Sequence, residues 1–229
     1  MKLIPVIDLM NARVVSAKRG MRDTYAPSDT PLCRSSRPQD VVSALLALHP
    51  FDTLYIADLD AIRGQGSNLD LIRRLYLDHP DIAFWVDNGL TDLEQLSGFA
   101  RPVIGSESLI SCEQLAHIIA SLPSPLLSLD YLDEEFRGPV GLDRQVERWP
   151  EDIIVMTLSR VGTEGGPDLA ALTQVSRLRS DIRLYAAGGI RNLQDLQQLR
   201  SFGAAGALLS TALHQGTIDG KALGRFLNR

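Results

Sequence analysis

Cysteine is scarce in this chain. Cys33 and Cys112 are the only two among 229 residues, they lie far apart, and no CxxC pair occurs. That excludes a disulfide framework or a zinc cluster and fits a reducing compartment. Long apolar runs are absent too, since none approaches the roughly 18 residues needed to span a bilayer. The N-terminus enters strand pattern at once, without the charged and then apolar leader of a secreted chain. A cytoplasmic setting is the expectation. Basic runs are also missing, and the net charge is −5, which argues against a nucleic-acid surface. A short cluster, Lys18–Arg19–Gly20–Met21–Arg22, is still suited to a small anion. The apolar fraction of 45% is that of an ordinary globular protein, and the length allows a well-buried core. One domain over residues 1–229 is expected, with neither nucleic acid nor membrane as partner.

Short apolar runs alternate with amphipathic segments along the chain. The predicted strands are IPVIDL, DTLYIADLD, IAFWVDN, RPVIGSE, LLSLDYL, DIIVMTLS, RLYAAGG and GALLST. The predicted helices between them are PQDVVSALLAL, NLDLIRRLYLDH, TDLEQLSGF, CEQLAHIIASL, LDRQVERW, DLAALTQVSRLR and NLQDLQQLRSF, and the chain closes on GKALGRFLNR. Strands that are nearly all apolar are buried on both faces, as in a parallel sheet covered by helices. Eight strand–helix units predict an α/β fold of the (β/α)8 (TIM) barrel type, with a doubly wound sheet as the alternative.

An internal repeat supports closure. Residues 52–96 lie over 152–196 without a gap, and eight of those 45 positions are identical. Strands, turns and helix starts fall in the same register. A barrel made of two half-barrels shows this pattern, with a site at the C-terminal rim of each half.

Asp8 ends the first strand and Asp130 ends the fifth, each after an apolar run. An isolated carboxylate there is costly to bury. Half a barrel apart, the two face each other across the mouth, where catalytic groups of such barrels gather. One can take a proton while the other gives one. The bland alternative is a helix cap or a loop acceptor for each. Anion-binding signals follow the seventh and eighth strands. Gly188 and Gly189 form a turn before a helix, and Ser210 and Thr211 end the last strand. Glycine turns and helix N-termini present N–H groups to a phosphate. The half-barrel mates are Gly89, Gly105 and Ser106, but Asp87 and Asn88 stand where glycines would help, and a carboxylate repels phosphate. His49, His79, His117 and His214 share no metal or triad spacing and read as surface or cap residues. Trp85 and Tyr185 are half-barrel mates that read as core. Asp58 faces either the barrel interior or the rim.

In order and spacing, IDL, DLDA, SLD, SRxGT and GGIR resemble the HisA family along essentially the whole chain. These are the ProFAR isomerases of histidine biosynthesis. The resemblance implies a (β/α)8 barrel and an Amadori rearrangement of an aminoaldose to an aminoketose, on a substrate with a phosphate at each end. It implies no cofactor, no metal and a monomer. Asp8 would be the general base and Asp130 the general acid. Gly188, Gly189, Ser210 and Thr211 would hold one phosphate, and Gly89, Gly105 and Ser106 the other. Asp60, Arg19, Arg160 and Thr163 would contact substrate. The departures fall on the rim. The family's GGGIR-like turn is DNGLT here, its DGT is Val161–Gly162–Thr163, the loop after the fifth strand lacks a tryptophan, and the segment after the first strand is long. IDLMNARVVSAKRG, PLCRSS and LYIADLDAI resemble a divergent HisA-like subgroup of methanogens and methylotrophs, which implies one-carbon cofactor (methanopterin or methanofuran) biosynthesis. Three readings stand at this point: a true ProFAR isomerase, an isomerase of another phosphorylated metabolite, and a phosphate-binding barrel without turnover. They diverge on whether Asp8 and Asp130 share one open pocket or whether Arg19 or Arg22 plugs the mouth on Asp8.

Overall fold

The computed structural model describes residues 1–163 and 165–227. The strands are β1 (Lys2–Met10), β2 (Arg13–Val15), β3 (Thr53–Asp58), β4 (Ala83–Asp87), β5 (Arg101–Gly105), β6 (Leu126–Leu132), β7 (Glu135–Arg137), β8 (Asp152–Thr157), β9 (Arg183–Ala187) and β10 (Gly206–Leu209). The helices are α1 (Pro38–Leu48), α2 (Leu59–Ile62), α3 (Leu69–Asp78), α4 (Leu93–Ser97), α5 (Cys112–Ser121), α6 (Leu169–Leu178), α7 (Leu193–Phe202), α8 (Thr211–His214) and α9 (Gly220–Leu227). Eight strands, β1, β3, β4, β5, β6, β8, β9 and β10, pair in parallel around a ring that β10 closes onto β1. The predicted closed (β/α)8 barrel is the fold. Among the described residues no helix is long and apolar enough to cross a membrane.

The alternation within each strand builds two cores. Ile4, Tyr55, Val103, Ile154 and Leu208 point inward and fill the barrel. Leu3, Leu54, Ile104, Ile153 and Leu209 point outward and meet the helices. Each helix offers one apolar stripe to that outer layer, as Leu69, Ile72 and Leu75 do on α3. Local signals set the helix ends. Asn192 accepts the N–H groups of Gln194 and Asp195 before α7, and Gly203, at φ +91°, ends that helix.

The repeat is visible in space. Trp85 and Tyr185 occupy equivalent positions, and their rings meet edge to face at 5.0 Å inside the barrel. Asp52 and Asp152 open equivalent strands. Asp52 pairs with Lys2, and Asp152 pairs with Arg101 and Arg183. β1 and β6 both run past the rim and fold back as hairpins, pairing Asp8 with Val15 and Asp130 with Arg137.

Two expectations change. Residues 142–149 form no α-helix, only one 3-10 turn at Val146–Arg148. The segment between Gly141 and Pro150 is too short to recover the cost of nucleating a helix, and it wraps instead, with Trp149 Nε1 donating to the Leu142 carbonyl at 2.8 Å. His214 is no surface residue, being only 7% exposed at the end of α8.

Candidate active site

One cavity opens at the C-terminal end of the barrel. Asp8, from β1, and Asp130, from β6, both line it, four strands apart around the ring. Asp87, at the end of β4, is a third carboxylate in the wall, and Glu107, just after β5, is a fourth. The far side is made by Gly188, Gly189, Ser210 and Thr211, next to the ends of β9 and β10.

Burial dominates the electrostatics. It pushes the Asp8 carboxyl up to about 7, and the nearby Arg22 guanidinium partly offsets the rise. Asp87 is likewise pushed up to about 7 by burial, against the N–H that Gly89 donates to its Oδ1 at 3.1 Å. Asp130 goes to about 8 through burial and the charge of Glu107, although Ser128 donates to its Oδ1 at 2.6 Å. Burial thus lifts all three carboxyls out of the ordinary range and towards neutral pH, where such groups can take or give a proton. Tyr55 stands between them on β3, and burial raises its hydroxyl well above the usual range, so it remains a neutral donor.

Asp130 is held from several sides. Its N–H donates to Ser106 Oγ at 2.9 Å, and the Glu107 N–H donates to its Oδ2 at 3.2 Å. Ser106 Oγ in turn lies 2.6 Å from the Arg137 carbonyl. Gly105 leaves room for two acids, since a Cβ there would lie 2.9 Å from Asp87 Oδ2 and 3.5 Å from Asp130 Oδ2.

The loop after β2 folds over the mouth. Ala17, Gly20, Arg22 and Tyr25 form its inner surface. It packs on the loop after β8, where the Arg19 N–H donates to the Val161 carbonyl at 2.9 Å. Arg22 forms an ion pair with Glu107 across the cavity. It does not plug the mouth on Asp8.

Of the residues expected at the site, Asp8, Asp130, Gly188, Gly189, Ser210, Thr211 and Thr163 share this cavity. The others lie outside its wall. Asp60 Oδ2 accepts from the Asn11 N–H at 2.7 Å and from Asn68 Nδ2 at 2.9 Å, tying the β1–β2 turn to the segment before α3. Asp58 turns outward and caps α2, accepting from Ala61 N–H at 3.3 Å. Gly89 packs so closely on the turn after β3 that a Cβ would sit 2.5 Å from the Ile62 Cα. Gly105 and Ser106 serve the carboxylates as described. The Arg19 side chain is exposed. Arg160 is fastened to the carbonyls of Gly166 and Pro167 at 3.0 and 3.1 Å.

The sequence reading missed Glu107, Tyr55 and Tyr25 as members of the site, and took Asp87 only as a carboxylate that repels phosphate. The 100-residue offset held a signal for Asp87, because it overlays Ala187, another wall residue at a strand end. Nothing comparable marked Tyr55, whose strand is apolar throughout and whose hydroxyl direction depends on barrel closure.

The model of the family described as "Histidine biosynthesis protein" matches residues 2–219. An uncharacterized protein of Methanocaldococcus jannaschii is 31% identical over 228 residues, covering 96% of each chain. Two proteins named 1-(5-phosphoribosyl)-5-((5-phosphoribosylamino)methylideneamino) imidazole-4-carboxamide isomerase are also similar. The one from Cenarchaeum symbiosum is 29% identical, over 96% of this chain and 98% of that protein. The one from Myxococcus xanthus is 30% identical, over 97% of each.

Proposed function

Because the chain belongs to the histidine biosynthesis protein family, we propose that it is an isomerase that converts a phosphorylated aminoaldose to its aminoketose. The observation that carries this is the pair Asp8 and Asp130, two buried carboxylates from opposite sides of the barrel in one cavity. Asp130 gives its proton to the ring oxygen as the sugar ring opens to a Schiff base at C1. Asp8 takes the proton from C2, and the resulting enaminol forms the ketone as C1 takes a proton back from Asp8 and the C2 hydroxyl gives one up to restore Asp130. The rearrangement moves hydrogen within one molecule and needs no external oxidant or reductant. The substrate phosphate is assigned to Gly188, Gly189, Ser210 and Thr211. In support, Gly189 is in the left-handed region at φ +78°, and the Ser210 and Thr211 hydroxyls have no hydrogen-bond partner among the described residues. The alternative of a barrel without turnover would gain from an arginine pinned on Asp8, whereas Arg22 pairs with Glu107. The comparisons lend no support to a one-carbon cofactor setting, and the proposal does not include it.

The test is turnover of the imidazole-carboxamide substrate named in the relatives, followed spectroscopically, with Asp8→Asn and Asp130→Asn as controls. Conversion that both substitutions abolish makes this a histidine-pathway isomerase. Conversion that neither substitution affects removes the two aspartates from the chemistry. No conversion by the unaltered enzyme rules out that substrate and moves the search to other phosphorylated aminoaldoses.

A further inference from the structure

The two sides of the cavity differ in what they offer a ligand. Beside β9 and β10, two glycines and two unpartnered hydroxyls are available. Beside β4 and β5, the groups that the half-barrel repeat would set on a phosphate are already engaged by the protein. The Gly89 N–H donates to Asp87 Oδ1 at 3.1 Å. The Glu107 N–H donates to Asp130 Oδ2 at 3.2 Å, and Ser106 Oγ is occupied by Arg137 and Asp130. Two carboxylates, Asp87 and Glu107, stand where an anion would have to sit.

The same side is rich in carboxylates relative to positive charge. Among the described residues, four carboxylates line the cavity against one cation, Arg22, which is already paired with Glu107. Asp87 is 7% exposed, and its Oδ2 has no hydrogen-bond partner among the described residues. Tyr55 gives an independent sign of a missing ligand. It is 3% exposed, lines the cavity and faces Asp87, Asp130, Asp8 and Glu107, yet its hydroxyl has no partner among the described residues. Asp87 and Tyr55 both face the open cavity, and a carboxylate there is met best by a charged donor.

We propose that the substrate carries a single phosphate, held beside β9 and β10, and presents a protonated amine to Asp87 and Glu107 on the opposite side. This rests on the phosphate assignment made above. It separates this site from one that takes a phosphate at each end. The ammonium donates to Asp87 Oδ2 and Glu107, and the Tyr55 hydroxyl orients the chain between the two ends.

The experiment is calorimetric binding at pH 7.5 with three probe series of graded length: ω-aminoalkyl phosphates, plain alkyl phosphates and α,ω-alkane bisphosphates. At the length that spans the cavity, the aminoalkyl phosphate binds at least tenfold more tightly than its alkyl partner, and the bisphosphate binds no more tightly. Asp87→Asn and Glu107→Gln each reduce the ratio of aminoalkyl to alkyl phosphate affinity. If alkyl phosphates bind with no amine preference at any length, or bisphosphates bind most tightly, the amine assignment is overturned and the phosphate assignment stands. If no phosphate probe binds, both assignments fail.

Discussion

The backbone N–H of Asp130 donates to Ser106 Oγ at 2.9 Å, so a residue near the rim end of β6 is anchored by the first residue beyond the neighbouring strand β5. Ser106 is fully buried and does not line the cavity. Its work is to aim the carboxyl that we assign as the acid. Ser106→Ala leaves the Asp130 N–H and the Arg137 carbonyl without their partner, which costs about 1–3 kcal/mol of stability. Turnover should fall by about tenfold or more through kcat, equivalent to at least about 1.4 kcal/mol at the transition state, with KM nearly unchanged. Steady-state kinetics on the variant checks this. A change confined to KM would make Ser106 a substrate ligand instead.

The pH profile follows from the two aspartates. As base, Asp8 must be ionised, so kcat/KM rises as pH passes its value of about 7. As acid, Asp130 must keep its proton, so the rate falls beyond about 8. The bell is narrow, and its limbs belong to the coupled pair. Arg22 lowers the Asp8 value. Arg22→Ala should therefore shift the rising limb to higher pH. A rising limb that stays in place would show that the Arg22 charge does not reach Asp8.

Stability depends on pH with the opposite sign from an ordinary salt-bridged carboxylate. Asp87 ionises near 4 in the unfolded chain but near 7 when folded. Between those values the folded state binds the extra proton, so stability falls as pH rises from about 4 to about 7 and then levels off. Asp87→Asn removes this penalty. The variant should be more stable at pH 8, by roughly 1–4 kcal/mol, and the gain should shrink at pH 5. Urea unfolding at the two pH values measures it, and an equal gain at both would exclude the titration as its cause. Asp152 behaves conversely. Burial favours its neutral form, but hydrogen bonds from Arg183 and Arg101 outweigh that and hold it near 2. Its contribution is present above about 4 and is lost as pH falls through 2.

The barrel was legible in the sequence because burial on both faces writes a near-continuous apolar run into each strand, and the 100-residue repeat confirmed the period. Asp8 and Asp130 were legible as a pair because they end apolar runs half a barrel apart, whereas either alone reads equally well as a cap or loop acceptor, as Asp58 proves to be. Asp60 misled, since its neighbours read the same way, but Asn11 and Asn68 draw it away from the mouth. No local pattern encodes that, because Asn11 lies 49 residues away along the chain. Residues 142–149 misled for a related reason. Their apolar spacing suits a helix and equally suits a wrapped segment hooked by Trp149.

The last prediction concerns the roof of the site. Gly162 lies in the left-handed region at φ +68°, and a Cβ on it would stand 2.3 Å from the Ala17 carbonyl oxygen. Gly162→Ala cannot be absorbed by a rotating side chain, because the clash is with backbone. The loop after β8 must then part from the loop after β2, which carries Arg22 and Tyr25. Neither loop belongs to the barrel core, so the stability loss should be about 1–2 kcal/mol, the cost of a left-handed alanine. The kinetic loss should be larger, with KM rising about tenfold, worth about 1.4 kcal/mol of binding. Unaltered kinetics, beside a measurable stability loss, would show that substrate binds without the two loops in contact.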